Sequence, residues 1–287
     1  MMRKRVAVPK TLKLFIGGAF ARSESGRTYS LVARDSQVNV ALASRKDVRD
    51  AVTAARGAWP GWSGRSAYNR GQIVYRLAEI MESRREQFEA CLRESGRSRA
   101  AAAGEFERAA DLVVWYAGWC DKIDQTFSTK NPVSSPFFNV SSPEATGVVG
   151  VVAPAASGLL GLAVAVVPAM CGGNTVVALA SERDPLSAIA FAEALATCDV
   201  PPGVVNILTG SCDAVAQHLA AHMDVNALGL WDCDAKLAKQ LQIAAIENVK
   251  RVRAYALVDK NARTETFSPH RILDFMEIKT VWHPAGV

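Results

Sequence analysis

The 287-residue sequence contains no pair of cysteines at the C-x-x-C spacing that zinc sites and redox motifs need. Its six cysteines are scattered, as is typical of incidental or buried thiols in a reducing compartment, so we expect a cytoplasmic location. The sequence also lacks a large excess of either charge, since its net charge is only +5, and no basic stripe alternates with aromatic residues. These absences argue against a metal centre and against a nucleic-acid partner.

One long stretch lacks charge altogether. Residues 146–175 contain no charged side chain, and a run of that length could span a bilayer. However, it contains Pro154, Pro168 and six glycines, and it is rich in alanine rather than leucine. It divides into a β-branched strand, a turn and a buried helix from about Leu159 to Met170, as expected of an α/β core whose strands are apolar on both faces. We therefore expect no membrane span.

The N-terminus is short and basic, and its first acidic residue is Glu24. A transit peptide is one interpretation, but Pro9 interrupts any helix there, and the apolar segment is too short for a signal sequence. We expect a solvated tail, because chain termini are commonly poorly ordered.

Helical periodicity dominates the first half of the chain after short strand-like pieces between Leu14 and Val40. The apolar spacing predicts helices at Lys46–Trp59, Ala67–Glu94 and Phe106–Asp124. Three prolines then interrupt the pattern, so Asn131–Pro143 is predicted to be an edge strand or an extended arm.

Strand and helix patterns alternate in the second half. Strands are predicted at Val148–Val152, Thr175–Leu179, Val204–Leu208 and Ala227–Leu230, with a last one at Ile278–Trp282. Beyond the helix at Leu159, helices are predicted at Ser187–Thr197, Asp213–His222 and Ala235–Asn248. This alternation predicts right-handed crossovers and a parallel, doubly wound α/β sheet with helices on both faces.

Several segments, in their order along the chain, resemble the aldehyde dehydrogenase superfamily. They are Leu14–Gly18, Gly147–Pro154, Gly173–Val177, Pro201–Gly210 and Thr280–Trp282. The resemblance implies a Rossmann-type parallel sheet with a small oligomerisation β-element. It is nearest to the inactive, truncated second module of two-module aldehyde dehydrogenases, which also ends soon after its cofactor domain.

The resemblance divides the chain into five parts. Residues 1–130 correspond to the N-terminal helical part of the cofactor-type domain, 131–143 to an oligomerisation arm, 144–260 to the Rossmann-like part, 261–277 to a linker that replaces the catalytic domain, and 278–287 to the C-terminal oligomerisation strand. The family's catalytic cysteine lies on a domain that the segment between Tyr255 and Ile278 is too short to form, and no cysteine follows Cys233.

The catalytic motifs of the family are altered. Where the family has Trp-Asn after the proline that corresponds to Pro154, this chain has Ala155 and Ala156. In the family that asparagine donates to the oxyanion, and losing one such donor typically costs about 10²–10³ in turnover. The family's general-base glutamate aligns with Tyr255, followed by Ala256, Leu257 and Val258. The resemblance therefore implies no catalytic residue in this chain.

The cofactor motifs are altered too. In the family a lysine and a glutamate hold the adenosine ribose; here Leu179 replaces the lysine, and Glu182 retains the glutamate. The family's Phe-Thr-Gly-Ser becomes Leu-Trp-Asp-Cys, which places Asp232 where a helix N-terminus should meet pyrophosphate. Glu182, Thr209 and Gly210 remain as vestigial cofactor-binding candidates. We expect no cofactor, with weak NAD binding as the alternative.

Two further constellations have competing interpretations. His218 and His222, spaced i, i+4 on a predicted helix, resemble half a metal site, but a surface pair is the simpler interpretation. Cys233 lies between two aspartates near a helix start. The helix end would lower the pKa of its thiol and the carboxylates would raise it, and we expect the thiol to be inert.

Gly158 and Gly161 are predicted to allow close packing at a strand-to-helix turn.

The leading functional hypothesis is a catalytically inactive protein that serves as a structural or regulatory subunit. It would assemble through the arm at 131–143 and the strand at 278–287, by strand addition at a sheet edge. An exposed strand is an aggregation hazard unless it is paired, so its retention favours assembly. The predicted partner is a second copy, a catalytically complete aldehyde dehydrogenase, or both. Two alternatives stay open: an NAD-dependent aldehyde dehydrogenase, whole or completed by a partner chain, and a protein that binds the cofactor without catalysis.

Overall fold

The computed structural model describes residues 10–34, 37–134, 136–256 and 266–285. Several predictions concern residues outside these ranges: the basic tail before Lys10, Leu257 and Val258 beside Tyr255, residues 261–265 of the linker, and the last two residues of the C-terminal strand.

The helices and strands alternate along the chain as follows. The strands are β1 (Thr11–Leu12), β2 (Leu14–Ile16), β3 (Ala19–Ala21), β4 (Thr28–Val32), β5 (Gln37–Ala41), β6 (Thr129–Asn131), β7 (Phe137–Ala145), β8 (Val148–Val152), β9 (Thr175–Leu179), β10 (Val205–Leu208), β11 (Ala227–Trp231), β12 (Arg251–Tyr255) and β13 (Met276–Pro284). The helices are α1 (Arg45–Ser63), α2 (Ala67–Ser83), α3 (Arg85–Glu94), α4 (Arg99–Ala117), α5 (Ile123–Phe127), α6 (Leu160–Cys171), α7 (Pro185–Thr197), α8 (Cys212–Ala221), α9 (Ala235–Ala244) and α10 (His270–Leu273), with a 3₁₀ turn at Ile246–Asn248.

The main sheet has seven strands in the order β12-β11-β8-β9-β10-β2-β3. The first five run parallel, and the β2–β3 hairpin adds antiparallel strands beside β10. Along β8, Val148 and Val152 point into one core cluster while Val149 and Val151 point into another, since successive side chains of a strand face opposite sides. The predicted parallel, doubly wound sheet is confirmed, and the hairpin is an addition to it.

Helices cover both faces of this sheet. On one face, α1, α8 and α9 contribute Val48, Val215 and Leu241 to a common core cluster. On the other face lie α2, α3, α4, α6 and α7, whose buried residues include Leu112 and Phe191. Because both faces are covered, β8, β9, β10 and β11 are buried along their whole length.

The uncharged stretch at 146–175 forms β8, α6 and β9 in the middle of this core. Every residue of α6 except Leu160 is buried among protein side chains, as the sequence predicted. None of the helices in the described ranges has both the length and the apolar character needed to cross a bilayer.

The single helix predicted at Ala67–Glu94 is wrong, because the chain forms α2 and α3 with a break at Arg84. The backbone of Arg84 leaves the helical region, at φ −111° and ψ 17°. Its guanidinium bonds to Glu193 of α7, with 2.6 Å between Nη2 and Oε2. The apolar spacing continues across the break, so periodicity alone does not reveal it.

The helix predicted at Phe106–Asp124 has different limits. It begins at Arg99, where the Ser98 hydroxyl accepts a hydrogen bond from the Ala101 N–H at 3.2 Å, and it ends at Ala117, with α5 following separately. The first turns of α4 are rich in alanine, which gives little apolar periodicity although alanine is the best helix former.

A separate three-stranded sheet, which we call the arm sheet, consists of β6, β7 and β13 in the order β13-β7-β6. The pairing of β13 with β7 is antiparallel and runs from Met276 opposite Ala145 to Pro284 opposite Phe137. Both predicted segments, Asn131–Pro143 and Ile278–Trp282, thus belong to one sheet, and β7 and β13 each extend further than predicted.

The part of the predicted linker at 261–277 that the structure describes belongs to the core. Ile272 and Phe275 are buried, and the Tyr116 hydroxyl donates to the carbonyl oxygens of Thr266 and Ser268 at 2.9 and 3.2 Å. These residues, with α10, cover the face of the sheet on which α4 and α6 lie.

Candidate functional site

The carboxyl ends of the parallel strands form a cleft of about 580 Å³. The neighbouring strands β8 and β11 are continued in opposite directions, β8 towards β9 and β11 towards β12. The cleft therefore lies at a topological switch point, where open α/β sheets bind ligands. Its walls include Val152, Leu179, Glu182, Cys212 and Trp231.

A buried ionic network holds the loop that follows β8. Arg97 contacts Glu105 of α4 and also Asp184, with 2.7 Å between Nη1 and Oδ2 of the latter pair. Glu105 accepts hydrogen bonds from the Leu159 and Leu160 N–H groups at 3.2 and 3.3 Å. The N-terminus of α6 is therefore capped by a neighbouring helix, and these N–H groups do not face a ligand. Asp184 is distant in the sequence from Arg97 and Glu105, which are eight residues apart, and no sequence motif predicted the network.

Ala155 and Ala156 lie on the same loop with exposed side chains. Their carbonyl oxygens accept from Ser181 Oγ at 2.8 Å and Arg97 Nη2 at 3.4 Å. The hydroxyl of the next residue, Ser157, donates to Glu105 at 3.1 Å. Methyl groups cannot donate a hydrogen bond, so these two alanines offer no side-chain donor where the family resemblance places one.

Two glycines permit this tight packing, as predicted. A Cβ on Gly158 would lie 2.2 Å from the carboxyl carbon of Asp184, and a Cβ on Gly161 would lie 2.4 Å from Cγ of Pro154. Both glycines therefore serve the close contact between the loop and its surroundings.

Of the three cofactor-binding candidates, Glu182 lines the cleft and the other two do not. The Thr209 side chain is fully buried, and its hydroxyl donates to the Ala41 carbonyl at 2.6 Å. The backbone of Gly210 lies against that of Ala43, whose N–H donates to the Thr209 carbonyl at 2.9 Å. Thr209 and Gly210 thus connect β10 to β5, and their assignment as vestigial cofactor ligands stays a prediction.

The segment before α9 carries two carboxylates into the cleft wall. Asp232 has φ +50°, a backbone conformation that glycine adopts more readily. Asp234, rather than Asp232, caps the helix, accepting from the Lys236 and Leu237 N–H groups at 2.9 Å each. The N–H groups that could meet a phosphate are therefore bound by the chain's own carboxylate.

Two cysteine thiols share this wall. Burial, followed by the Asp234 and Asp232 carboxylates, raises the pKa of Cys233 to about 11. The pKa of Cys212 is raised to about 12, mainly by burial and to a smaller extent by the neighbouring Cys233. Since the thiolate is the nucleophile, both groups are in the unreactive form at neutral pH. The sequence predicted the effect of the carboxylates on Cys233 but not burial, which is the larger cause.

An aromatic stack, consisting of Trp231, Tyr255 and Arg271, fills the end of the sheet beside the cleft. The Trp231 and Tyr255 rings, at the ends of β11 and β12, have centroids 4.3 Å apart. The Arg271 guanidinium lies 4.2 Å from the Tyr255 centroid and 5.0 Å from that of Trp231, a cation–π arrangement.

The Tyr255 hydroxyl donates to Asp274 Oδ2 at 2.8 Å. Burial and the Asp274 carboxylate raise the pKa of Tyr255 far above its ordinary value. The position that the resemblance aligns with the general base is thus occupied by a protonated, half-buried phenol. Arg271 lies in a segment that reads as a polar linker, so its part in the stack had no sequence signal.

Phe275 fixes this segment to the sheet. A Cβ on Gly229 of β11 would lie 3.0 Å from Cζ of the Phe275 ring. The Phe275 carbonyl accepts from the Thr146 hydroxyl at 2.8 Å and from Asn174 Nδ2 at 2.9 Å. The residues around Phe275 are therefore anchored by packing and by hydrogen bonds.

The predicted histidine pair does not share one helix. α8 ends at Ala221, and His222 follows with an extended backbone, at ψ 123°. His222 Nδ1 accepts from the Asp224 N–H at 3.2 Å. Within the described ranges, no three His, Cys, Asp or Glu side chains are grouped so that they could hold a metal ion.

The arm sheet is a second candidate site, because it exposes large apolar side chains. Ile278 and Trp282 are 61% and 58% exposed on one face, and Val281 is 52% exposed on the other. The Phe137 ring packs on that of Trp282 with centroids 5.9 Å apart. Clustered apolar exposure of this kind marks interaction surfaces.

The backbone of β13 has one paired side and one open side. The Phe275 carbonyl and the Ala285 N–H both bond towards β7, so odd-numbered residues face that strand. The Met276 carbonyl faces the opposite way and accepts from the Arg251 guanidinium. At the open side, where the described residues add no further strand, the outward N–H and C=O groups belong to Ile278, Thr280 and Trp282.

Comparison with known proteins agrees with the resemblance. Residues 21–254 match the family model described as aldehyde dehydrogenase family. Cytosolic 10-formyltetrahydrofolate dehydrogenase of Mus musculus is 33% identical over 257 residues, which cover 87% of this chain and 28% of that protein. An aldehyde dehydrogenase of Aspergillus niger is 33% identical over 255 residues, 86% of this chain and 50% of that protein.

A solved structure of an aldehyde dehydrogenase from Bacillus cereus in complex with NAD+ superimposes with a TM-score of 0.81 at 25% identity, covering 86% of this chain and 51% of that one. The chain spans half or less of the length of the Mus musculus and Aspergillus niger relatives. It belongs to the aldehyde dehydrogenase family.

Proposed function

We propose that this member of the aldehyde dehydrogenase family is a catalytically inactive structural or regulatory subunit that acts through oligomerisation. One observation carries the proposal: the first N–H groups of the two helices that begin beside the cleft are bonded to carboxylates of the same chain. Glu105 and Asp234 bind the first N–H groups of α6 and α9, and the aromatic stack fills the ends of β11 and β12.

The chemistry of the cleft supports inactivity. Oxidation of an aldehyde through a covalent intermediate needs an activated nucleophile, a base and an oxyanion donor. The thiols of Cys212 and Cys233 have raised pKa values, so neither is an activated nucleophile. The Tyr255 phenol cannot accept a proton at neutral pH, because its raised pKa keeps the hydroxyl protonated. Neither Ala155 nor Ala156 donates from its side chain.

The arm sheet supports assembly. Its exposed Ile278, Val281 and Trp282 accompany a strand edge whose backbone groups are open, and an edge of this kind pairs readily with another chain. The proposed partner is a second copy, a catalytically complete aldehyde dehydrogenase, or both.

The first experiment is native affinity purification of the full chain from its own cells, with mass spectrometry of the proteins recovered. Stoichiometric recovery of a complete aldehyde dehydrogenase is the result expected of a regulatory subunit, and recovery of a homo-oligomer is the result expected of self-assembly. A chain recovered as a monomer without companions would contradict the proposal.

A matched pair of variants tests the arm sheet directly. Ile278→Lys combined with Trp282→Lys should lower the native mass, because charged side chains on an exposed sheet suppress association. Val32→Lys combined with Ile246→Lys, at residues that are 86% and 69% exposed outside the arm sheet, introduces the same charge elsewhere and should leave the mass unchanged. Equal masses for both variants would remove the arm sheet from the assembly interface.

The alternative is an NAD-dependent aldehyde dehydrogenase, or a part of one completed by a partner chain. The cleft volume and the presence of Glu182 in its wall favour some cofactor binding, and related solved structures hold NAD. Asp232 and Asp234 oppose it, because they place negative charge where a pyrophosphate would bind. NADH formation by the purified chain would establish the enzyme, and micromolar NAD affinity by calorimetry without turnover would establish a cofactor sensor.

A further inference from the structure

The open edge of β13 has definite ends. At one end the Met276 carbonyl is occupied by Arg251, and at the other Pro284 has no N–H to donate. Between them, the outward N–H and C=O groups are those of Ile278, Thr280 and Trp282, with Thr280 at the centre of the strand. The edge is therefore short and symmetric about one residue.

We propose that two copies of this chain pair antiparallel through β13, about a two-fold axis at Thr280. The inference rests on the proposed function, since it names one partner of the oligomerisation and its register. In this register Thr280 lies opposite Thr280 of the partner subunit, and Ile278 lies opposite Trp282 of the partner subunit. Every outward N–H of the three residues then meets an outward C=O of the other copy.

Side chains favour the same register. Glu277 lies opposite His283 of the partner subunit, which brings a carboxylate to an imidazole. Lys279 lies opposite Val281 of the partner subunit, so no like charges face each other. Ile278 and Trp282 of the partner subunit form an apolar pair, and aromatic or β-branched pairs of this type contribute to sheet stability.

The two neighbouring registers bring unfavourable side chains or a missing backbone N–H opposite one another. An axis at Lys279 would set two lysines directly opposite, which is destabilising. An axis at Val281 would set Lys279 against His283 of the partner subunit and would give Ile278 a proline opposite, whose nitrogen cannot donate. The register centred on Thr280 also joins the two arm sheets into one continuous sheet with an isologous interface.

Site-directed cross-linking tests the register in the full chain. In Thr280→Cys the new thiols of two copies would lie opposite one another, at a Cα separation of about 5.5 Å, within disulfide range. The matched control is Lys279→Cys, whose thiols would be offset by two residues and out of reach. Under mild oxidation we expect the covalent dimer to form at least about tenfold faster in Thr280→Cys than in Lys279→Cys or in the unsubstituted chain. Equal rates would overturn the inference.

A proline pair tests the direction of the backbone groups without a new thiol. Thr280→Pro removes an outward N–H, and prolines are tolerated on edge strands, so the dimer should dissociate while the melting temperature of the monomer is unchanged. Val281→Pro removes an N–H that faces β7 and should lower the melting temperature. A Thr280→Pro variant that stays dimeric would contradict the pairing.

The two levels of the proposal fail differently. If Thr280→Cys does not cross-link but the lysine variants of Ile278 and Trp282 still lower the native mass, the register is wrong and the assembly role stands. If those variants leave the mass unchanged as well, the arm sheet is not the interface.

Discussion

Beyond the carboxyl ends of β8 and β11, the first N–H groups of α6 and α9 are bonded within the chain. Along β13, by contrast, the backbone groups of Ile278, Thr280 and Trp282 point away from β7. The cleft wall includes the capped start of α9, the thiols of Cys212 and Cys233, and Trp231 of the aromatic stack. The arm sheet exposes Ile278, Val281 and Trp282. The difference indicates which region can bind another molecule. A polar group that is already hydrogen-bonded inside the chain contributes little to binding, whereas an open strand edge gains hydrogen bonds when it pairs with another strand.

The largest expected effect separates stability from assembly. Phe275→Ala removes a ring that is 2% exposed and packs on β11, so it should lower the free energy of unfolding by about 3–5 kcal/mol. Urea unfolding followed by far-ultraviolet circular dichroism measures this, and the native mass of the folded protein should not change.

The matched control for this change is Phe137→Ala in the arm sheet. Phe137 is 40% exposed, so the same truncation should cost much less unfolding free energy and should instead weaken association. A Phe275→Ala variant with almost unchanged unfolding free energy would contradict this comparison, because the 266–276 segment would then be a linker that does not stabilise the fold.

A second effect concerns the ionic network behind the cleft. Arg97→Met leaves Asp184 and Glu105 buried without their cation, which should cost about 3 kcal/mol, at the lower end for a broken buried pair because Arg97 is partly exposed. The unfolding midpoint in urea measures the loss.

The control for the network is Arg76→Met, which breaks an exposed ion pair with Glu79 on α2. Because exposed pairs are screened by solvent, no measurable change in unfolding is expected. A similar, small effect of both substitutions would show that the loop after β8 does not depend on the network.

A third effect tests whether the cleft thiols are inactive. The pKa of Cys233 is raised to about 11 from an ordinary value of 9.0, so its thiolate fraction at neutral pH should be about a hundredfold lower than that of an exposed cysteine. Alkylation by iodoacetamide, followed by peptide mass spectrometry, should therefore accelerate about tenfold per pH unit up to about pH 11.

Asp232→Asn separates the causes of that shift. Removing one carboxylate should lower the pKa of Cys233 and speed its alkylation, but not to the ordinary rate, because burial is the larger cause. A Cys233 that is alkylated rapidly at pH 7 in the unsubstituted chain would mean that the cleft holds an activated nucleophile, and the enzyme alternative would regain support.

Much of the fold followed from local patterns. β8 and β9 lie where predicted, because each is a short, largely β-branched run that begins soon after a glycine, a pattern typical of a buried strand. The break at Arg84 and the early start of α4 were missed, since the first depends on a contact with a distant helix and the second on alanines that carry no periodicity.

The cleft was harder to predict than the fold. The changes at Ala155, Leu179 and Asp232 could be found because a motif defined each position. The contacts of Arg97 and Arg271 could not, because each guanidinium meets residues brought together only by the tertiary structure. The core position of Thr209 was not predictable for a related reason: its motif is typical of the family, but the hydrogen bond of its hydroxyl to the Ala41 carbonyl depends on the tertiary structure.

The smallest expected effect concerns the positive-φ backbone conformation of Asp232 and its cost in stability. Within the described ranges, Asp232 and Val249 are the non-glycine residues with positive φ, at +50° and +55°. Val249→Gly should stabilise the fold by about 1 kcal/mol, because a β-branched residue tolerates this conformation poorly. Asp232→Gly should gain only a few tenths of a kcal/mol, because aspartate tolerates it better and glycine adds unfolded-state entropy.

The NAD affinity of the Asp232→Gly variant tests whether the Asp232 carboxylate keeps the cofactor out of the cleft. If charge alone keeps NAD out of the cleft, calorimetry should show affinity strengthened by roughly two- to fivefold, as expected for removing an acid near a helix N-terminus. If affinity does not change, the capped N–H groups of α9 and the aromatic stack exclude the cofactor without help from Asp232. The first outcome is the one we expect, because Asp232 places its negative charge beside the start of α9. The gain should stay small, because Asp234 still occupies the Lys236 and Leu237 N–H groups.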